Sequence, residues 1–162
     1  MSQRQPPALN SDAVAEVRGS GYPEPFRTRM GERVKRRLGE AFGLTHFGVN
    51  LVTLGPGGQS ALRHWHTHED EFVYVLEGEI TLVEDHGETV LKPGDAAGWK
   101  ADSRIGHCLI NRTQKDAVYI EVCTRAPYET AVYPDIDMRV ERDKTDARYV
   151  KKTGEPYPVR KA

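Results

Sequence analysis

The chain has 162 residues, enough for one domain with extensions and short for two independent cores. Its 23 lysines and arginines against 24 aspartates and glutamates leave a formal net charge of −1 with no long block of one sign. That balance argues against a nucleic acid or a membrane as partner and leaves a small-molecule ligand as the expected one.

No apolar signal-peptide core stands near Met1 to Asn10, and no run of about 18 apolar residues occurs, so the expected location is cytoplasmic. The cysteines Cys108 and Cys123 each sit inside an apolar, strand-like run and are expected as buried reduced thiols. Residues 1–25 carry Pro6, Pro7, Pro23 and Pro25 with Gly19 and Gly21; the helical candidate there is Ser11 to Val17, and the stretch reads as an arm. Residues 27–37 are basic, but Gly31 and Glu32 break the run, and the prolines leave no room for a helix-turn-helix. A solvated loop or edge strand is expected there.

From Phe47 the chain changes to short strand-like runs: Phe47 to Leu54, the histidine segment, Glu71 to Leu76, Glu79 to Glu84, Glu88 to Leu91, Ala96 to Trp99, His107 to Asn111 and Ala117 to Thr124. Turn signals separate them at Gly55-Pro-Gly-Gly58, Glu77-Gly78, Asp85-His86-Gly87 and Pro93-Gly94-Asp95. Short strands with frequent turns predict an antiparallel sandwich or barrel. After Thr124 the apolar density falls, and a hairpin is expected between Met138 to Val140 and Arg148 to Val150.

Chemistry concentrates between Gly58 and Gly78, where His64, His66 and His68 run into Glu69-Asp70-Glu71. On an extended strand, positions i, i+2 and i+4 share a face, so His64 and His66 point together, joined by His68 if the strand continues that far. Glu71 opens the next strand, and His107 opens a later one on the face of Leu109 and Asn111, so an antiparallel barrel can bring four donors to its interior. Three imidazoles and one carboxylate suit a divalent transition-metal ion such as Fe, Mn, Co, Ni or Zn, and leave positions open for water, dioxygen or a chelating substrate. With Glu71 inward, Val73 and Val75 face in and Phe72 and Tyr74 face out. Glu69 and Asp70 are expected in a solvated turn, His86 in a turn, and His46 and Trp65 in structural roles. Trp99 and Tyr119 line either the cavity or the core.

The pattern Gly58-x5-His64-x-His66-x4-Glu71-x6-Gly78 is similar to the first motif of the cupin superfamily at every defined position, and Gly106-His107-x3-Asn111 resembles the core of the second. In the second motif Lys100 stands where a proline would fall, the loop Ala101 to Ile105 is longer, and Gly106 directly precedes the histidine. The similarity spans residues 47–124. It implies an all-β antiparallel jelly-roll barrel at 47–124, outside which composition reads as an arm and edge strand at 1–46 and an extension at 125–162 packed on the barrel. It also implies one divalent metal ion held by His64, His66, Glu71 and His107; His68, which the spacing leaves open as a ligand, is expected in a supporting place at the mouth.

Three functions fit such a pocket. An ion acting as Lewis acid suits isomerisation or epimerisation of a sugar or sugar phosphate, with Arg63, Lys100 and Arg104 as candidate phosphate clamps and His68, Trp99 and Tyr119 as further candidate substrate contacts. The resemblance also permits a dioxygenase or decarboxylase of a small organic acid, and a non-catalytic binding or sensor module. Edge strands and flanking arms point to a homodimer.

Overall fold

The computed structural model describes residues 8–158; Pro6, Pro7 and the outermost parts of the expected arm and extension lie outside them. Period-two alternation makes strands of the predicted runs, each with one face turned to the core. In chain order they are β1 (Glu16–Arg18), β2 (Arg33–Arg36), β3 (Phe47–Leu54), β4 (Trp65–His66), β5 (Glu71–Glu77), β6 (Ile80–Glu84) and β7 (Gly87–Leu91). β8 (Ala96–Trp99), β9 (His107–Ile110), β10 (Ala117–Thr124), β11 (Glu129–Tyr133), β12 (Met138–Arg142) and β13 (Ala147–Val150) follow. One short helix, α1 (Leu38–Ala41), precedes β3.

One sheet has the order β1-β2-β3-β10-β5-β8, and two smaller ones run β13-β12-β11-β4 and β7-β6-β9. A bridge between His64 and His107 stitches the two smaller sheets together. The pairings are antiparallel, so the chain adopts the expected all-β barrel. Val52, Leu54, Val73, Val75, Ile80, Leu82, Leu109 and Tyr119 fill it, each apolar side chain contributing about 2 kcal/mol by leaving water. The β5–β6 turn requires glycine: Gly78 has φ 72°, and a Cβ there would stand 2.5 Å from the Asp116 carbonyl oxygen.

Registers align the inward residues in rows across the large sheet. Leu54 and Ala117 form one row and Val52, Tyr119 and Val75 the next. Toward the other end the rows turn polar: Asn50, Glu121 and Val73, then Gly48, Cys123, Glu71 and Trp99. The barrel is thus dry at one end and carries its chemistry at the other.

The flanking segments differ in detail from expectation. Ser11 to Val17 is not a helix: a 3-10 turn at Ser11–Ala13, capped by the Asn10 side chain, gives way to β1. Pairing with β2 satisfies this backbone better than one isolated helical turn would. The basic segment becomes a 3-10 turn, Arg27–Met30, and β2, which β1 covers. The C-terminal hairpin forms as β12 and β13. The extension does more than pack on the barrel, because β11 pairs with β4 through Ala131–His66 and Val132–Trp65 and so adds a strand beside the histidines. Arm and extension share a second core of Tyr22, Phe26, Met30, Leu62, Ala131, Tyr133 and Met138. Both cysteines are buried and unpaired. Among the described residues, no helix is long and apolar enough to cross a membrane.

Candidate metal centre

His64 precedes β4 rather than sitting within it. Its N–H donates to the His107 carbonyl at 3.1 Å, and the His107 N–H returns the bond at 2.9 Å. This narrow antiparallel pair places the two rings side by side, with centroids 5.3 Å apart. His66 follows on β4, and Glu71 reaches in from β5 of the opposite sheet. His64 Nε2 lies 3.1 Å from His66 Nε2, and Glu71 sets Oε2 2.7 Å from His107 Nε2 and Oε1 3.4 Å from His66 Nε2. Donor atoms of His64, His66 and Glu71 all fall within 4.8 Å of one another.

Each imidazole is held from behind at Nδ1: His64 by the Leu62 carbonyl at 2.8 Å, His107 by the Ile105 carbonyl at 3.1 Å and His66 by Glu129 Oε1 at 3.3 Å. A carbonyl only accepts, so the Nδ1 of His64 carries the proton, and neutral His64 offers a bare Nε2 lone pair to the centre. The Nε2 atoms of His64 and His66 and the Glu71 carboxylate converge on one point, so the donor set fits a divalent ion, with outer partners fixing the rings as in metal-histidine sites. Burial, with the neighbouring His66 and His107, drives His64 down to about 4, outweighing Glu71. Burial also opposes charge on His66, but Glu129 and Glu71 prevail and raise it to about 10. Glu71 is pushed up by burial and pulled further down by its bonds to His107 and His66, ending well below the usual carboxylate range.

Two clefts meet at this centre. One of about 140 Å³ runs inward past His64, Glu71 and His107 and is lined by Trp99, Tyr119, Ser60 and Glu121. The other, about 420 Å³, lies against His66 and Glu71 and is lined by Lys35, Arg37, Asn50, Glu121, Arg125 and Arg142. Trp99 stacks on His107 with centroids 3.8 Å apart and planes 2° off parallel, while its Nε1 donates to Glu84 at 2.6 Å. Tyr119 is 1% exposed and faces the inner cleft; burial and the nearby Glu121 push its hydroxyl well above its ordinary value, so it stays protonated.

The expected clamp and mouth residues lie elsewhere. Arg63 donates to Asp85 and Asp135, neither of them in the two clefts. Lys100 and Arg104 are exposed on the loop before β9, where Arg104 pairs with Asp102 at 3.2 Å. His68 is exposed and bonded to Thr67, because the chain turns after Thr67 and β4 is too short to bring a third histidine round. Glu69 is not solvated: it is 4% exposed, bound by Arg142 and the Ala126 N–H.

The residues sequence reasoning missed are Glu121, Asn50, Lys35 and Glu129. Lys35 Nζ donates to Glu121 Oε1 at 3.0 Å, and Asn50 Nδ2 donates to the same oxygen at 2.9 Å. Glu121 and Asn50 left a signal, each being a polar residue at an inward position of an otherwise apolar strand. Glu129 left none: it is 5% exposed and accepts from the N–H groups of Thr67 and His68, a contact made by folding alone.

A family model described as "Cupin domain" matches residues 50–123. The chain is 45% identical to a sugar phosphate isomerase of the cupin superfamily from Silicibacter pomeroyi, with TM-score 0.90, covering 94% of this chain and 97% of that one. It is 30% identical to a provisional sugar phosphate isomerase from Acidithiobacillus ferrooxidans, with TM-score 0.71, covering 76% of this chain and 78% of that one. A predicted oxalate decarboxylase from Thermotoga maritima, at 23% identity and TM-score 0.59 over 74% of this chain and 99% of that one, shares the fold. No curated protein matches the sequence.

Proposed function

The chain belongs to the cupin superfamily, and from that premise we propose that it is a metal-dependent isomerase or epimerase of a sugar or sugar phosphate. The observation that carries this reading is Glu121, a carboxylate that no proposed ligand needs, lining both clefts beside Glu71. Moving a proton between carbons next to a carbonyl calls for such a base within reach of a polarised substrate.

His64, His66, Glu71 and His107 would hold the ion, which when bound supplies Lewis-acid polarisation of a substrate carbonyl or hydroxyl. Burial raises the Glu121 pKa, but Lys35 outweighs it together with Asn50, so the carboxylate lies below its ordinary range and is ionised at neutral pH. Its Oε atoms accept the proton from the substrate carbon and return it to the neighbouring one. Lys35 steadies the charge between those events, and the Tyr119 hydroxyl is a donor for a substrate oxygen. Trp99 closes one wall against water.

The test pairs metal analysis with an exchange assay on aldose and ketose phosphates. His64→Ala and His107→Ala are expected to lose the metal, whereas Glu121→Gln keeps it and loses about 10²–10⁴-fold in turnover. Wild type run in deuterated water is expected to place deuterium on the carbon next to the carbonyl. Absence of both turnover and exchange in metal-loaded wild type would overturn the reading.

The homodimer is likewise a proposal. Outward positions on β3, β10, β5 and β8 are Phe47, Val49, Leu51, Thr53, Val118, Ile120, Val122, Thr124, Phe72, Tyr74, Leu76, Ala96 and Gly98, with Glu77 the one charge, opposite Val118 at the bulged end of β5. Phe72, Tyr74 and Leu76 are 40–44% exposed. An apolar face with its one charge at the end meets a second copy of itself with little repulsion and buries apolar surface on both sides.

A further inference from the structure

The outer cleft, about 420 Å³, contains four cations, Lys35, Arg37, Arg125 and Arg142, and four carboxylates, Glu40, Glu69, Glu71 and Glu121. Most of these charges are spoken for. Lys35 pairs with Glu121, Arg142 with Glu69, and Glu71 with His66 and His107. Arg37 reaches Glu40 only at 3.3 Å, with both side chains about half exposed or more, an arrangement of small net value in water. Arg125 makes no ion pair among the described residues; its Nη1 sits 2.8 Å from Cys123 Sγ. Its charge is nevertheless placed with care. The guanidinium lies over the backbone of Gly48, where any Cβ would collide with it.

Gly48, Cys123 and Glu71 are opposite one another on β3, β10 and β5. Two strand spacings, about 10 Å, therefore separate the backbone under Arg125 from that of the proposed metal carboxylate. A ligand that engages both must be longer than a bare anion and carry negative charge at its far end.

We propose that Arg125, assisted by Arg37, is the binding site for the phosphate group of a phosphorylated sugar whose oxygens reach the metal centre. The sugar part of this statement rests on the isomerase reading; the anion site does not. A planar guanidinium with free N–H groups matches phosphate oxygens two at a time, and Arg37 exchanges a weak carboxylate contact for a stronger, charge-assisted one. This replaces Arg63, Lys100 and Arg104 as the clamp, since none of them lines the cleft.

Phosphorus NMR titration with inorganic phosphate tests the site, on metal-loaded protein and again after chelation, so that phosphate bound to the ion is separated from phosphate bound to arginine. Chelated wild type is expected to bind phosphate, Arg125→Gln about tenfold more weakly, Arg37→Gln severalfold more weakly, and Arg125→Lys in between. Gly48→Ala, which displaces the guanidinium while leaving its charge, is expected to weaken binding as Arg125→Gln does. Circular dichroism and the thermal midpoint check that each variant is folded. No phosphate binding by chelated wild type, or equal binding by wild type and folded Arg125→Gln, overturns the proposal. Loss of phosphate binding in Arg125→Gln together with no turnover of any sugar phosphate by wild type would leave the anion site standing and remove the isomerase. Turnover with phosphate binding indifferent to Arg125 and Gly48 would do the reverse.

Discussion

At the scale of single residues, Glu129 shows how far the site extends beyond its four donors. One oxygen holds His66 Nδ1 and the Thr67 N–H, and the other takes the His68 N–H, so one buried carboxylate orients a ring and fixes the turn after it. Glu129→Gln is expected to weaken metal affinity about 10–100-fold with every ligand still present, as measured by competition with a chelator. Glu121 gives a pH prediction. Lys35 and Asn50 hold its folded pKa below the ordinary 4.5 despite burial, so on acidification the unfolded chain takes up the proton first. The stability from this pair is therefore complete above about pH 4.5 and declines as pH falls through the folded pKa. Urea midpoints of wild type are expected to fall across that acid range more steeply than those of Glu121→Gln; parallel slopes would contradict it. His64, His66, Glu71 and His107 stood out as candidates by their spacing and their similarity to the cupin motifs, whereas Glu121, a charge in an inward slot of β10, left a signal of alternation that went unread. Arg63 was misleading because its position beside His64 says nothing of Asp85 and Asp135, to which it is bound.

At the scale of elements, β11 couples the extension to the centre. Tyr133, 4% exposed, stacks on His64 with centroids 5.5 Å apart, and its hydroxyl lies 3.1 Å from that of Tyr22 in the arm. The Leu62 N–H in turn donates to the Tyr22 hydroxyl at 3.3 Å, two residues before the histidine. Arm, histidine loop and extension are thus tied at one point. Tyr133→Ala is expected to cost about 3 kcal/mol in urea unfolding, as large aromatic truncations do, and to loosen His64 enough to lower metal affinity. Tyr22→Phe removes only hydrogen bonds and is expected to cost about 1 kcal/mol. None of these ties has a local sequence signature, because the hydrogen bonds join residues 111 and 40 positions apart.

At the scale of the molecule, the apolar outer face of β3, β10, β5 and β8 leads to an assembly prediction. Sedimentation is expected to show twice the 18.2 kDa chain mass for wild type and a monomer for Phe72→Lys combined with Tyr74→Glu, which place charges in the middle of that face. A wild-type monomer at micromolar concentration would refute the dimer. The sequence by itself determined the all-β barrel and the inward and outward faces of its strands, and it put forward His64, His66, Glu71 and His107 as candidate donors. Those properties follow from alternation, turn residues and short spacing, all of which act over a few neighbours. Only the tertiary structure decided that β11 pairs beside the histidines, that Glu129 stands behind His66, and that Arg37 and Arg125 rather than Arg63, Lys100 and Arg104 face the cleft. The reason is physical: a charge's role depends on which opposite charge reaches it first, and that partner arrives from a distant part of the chain.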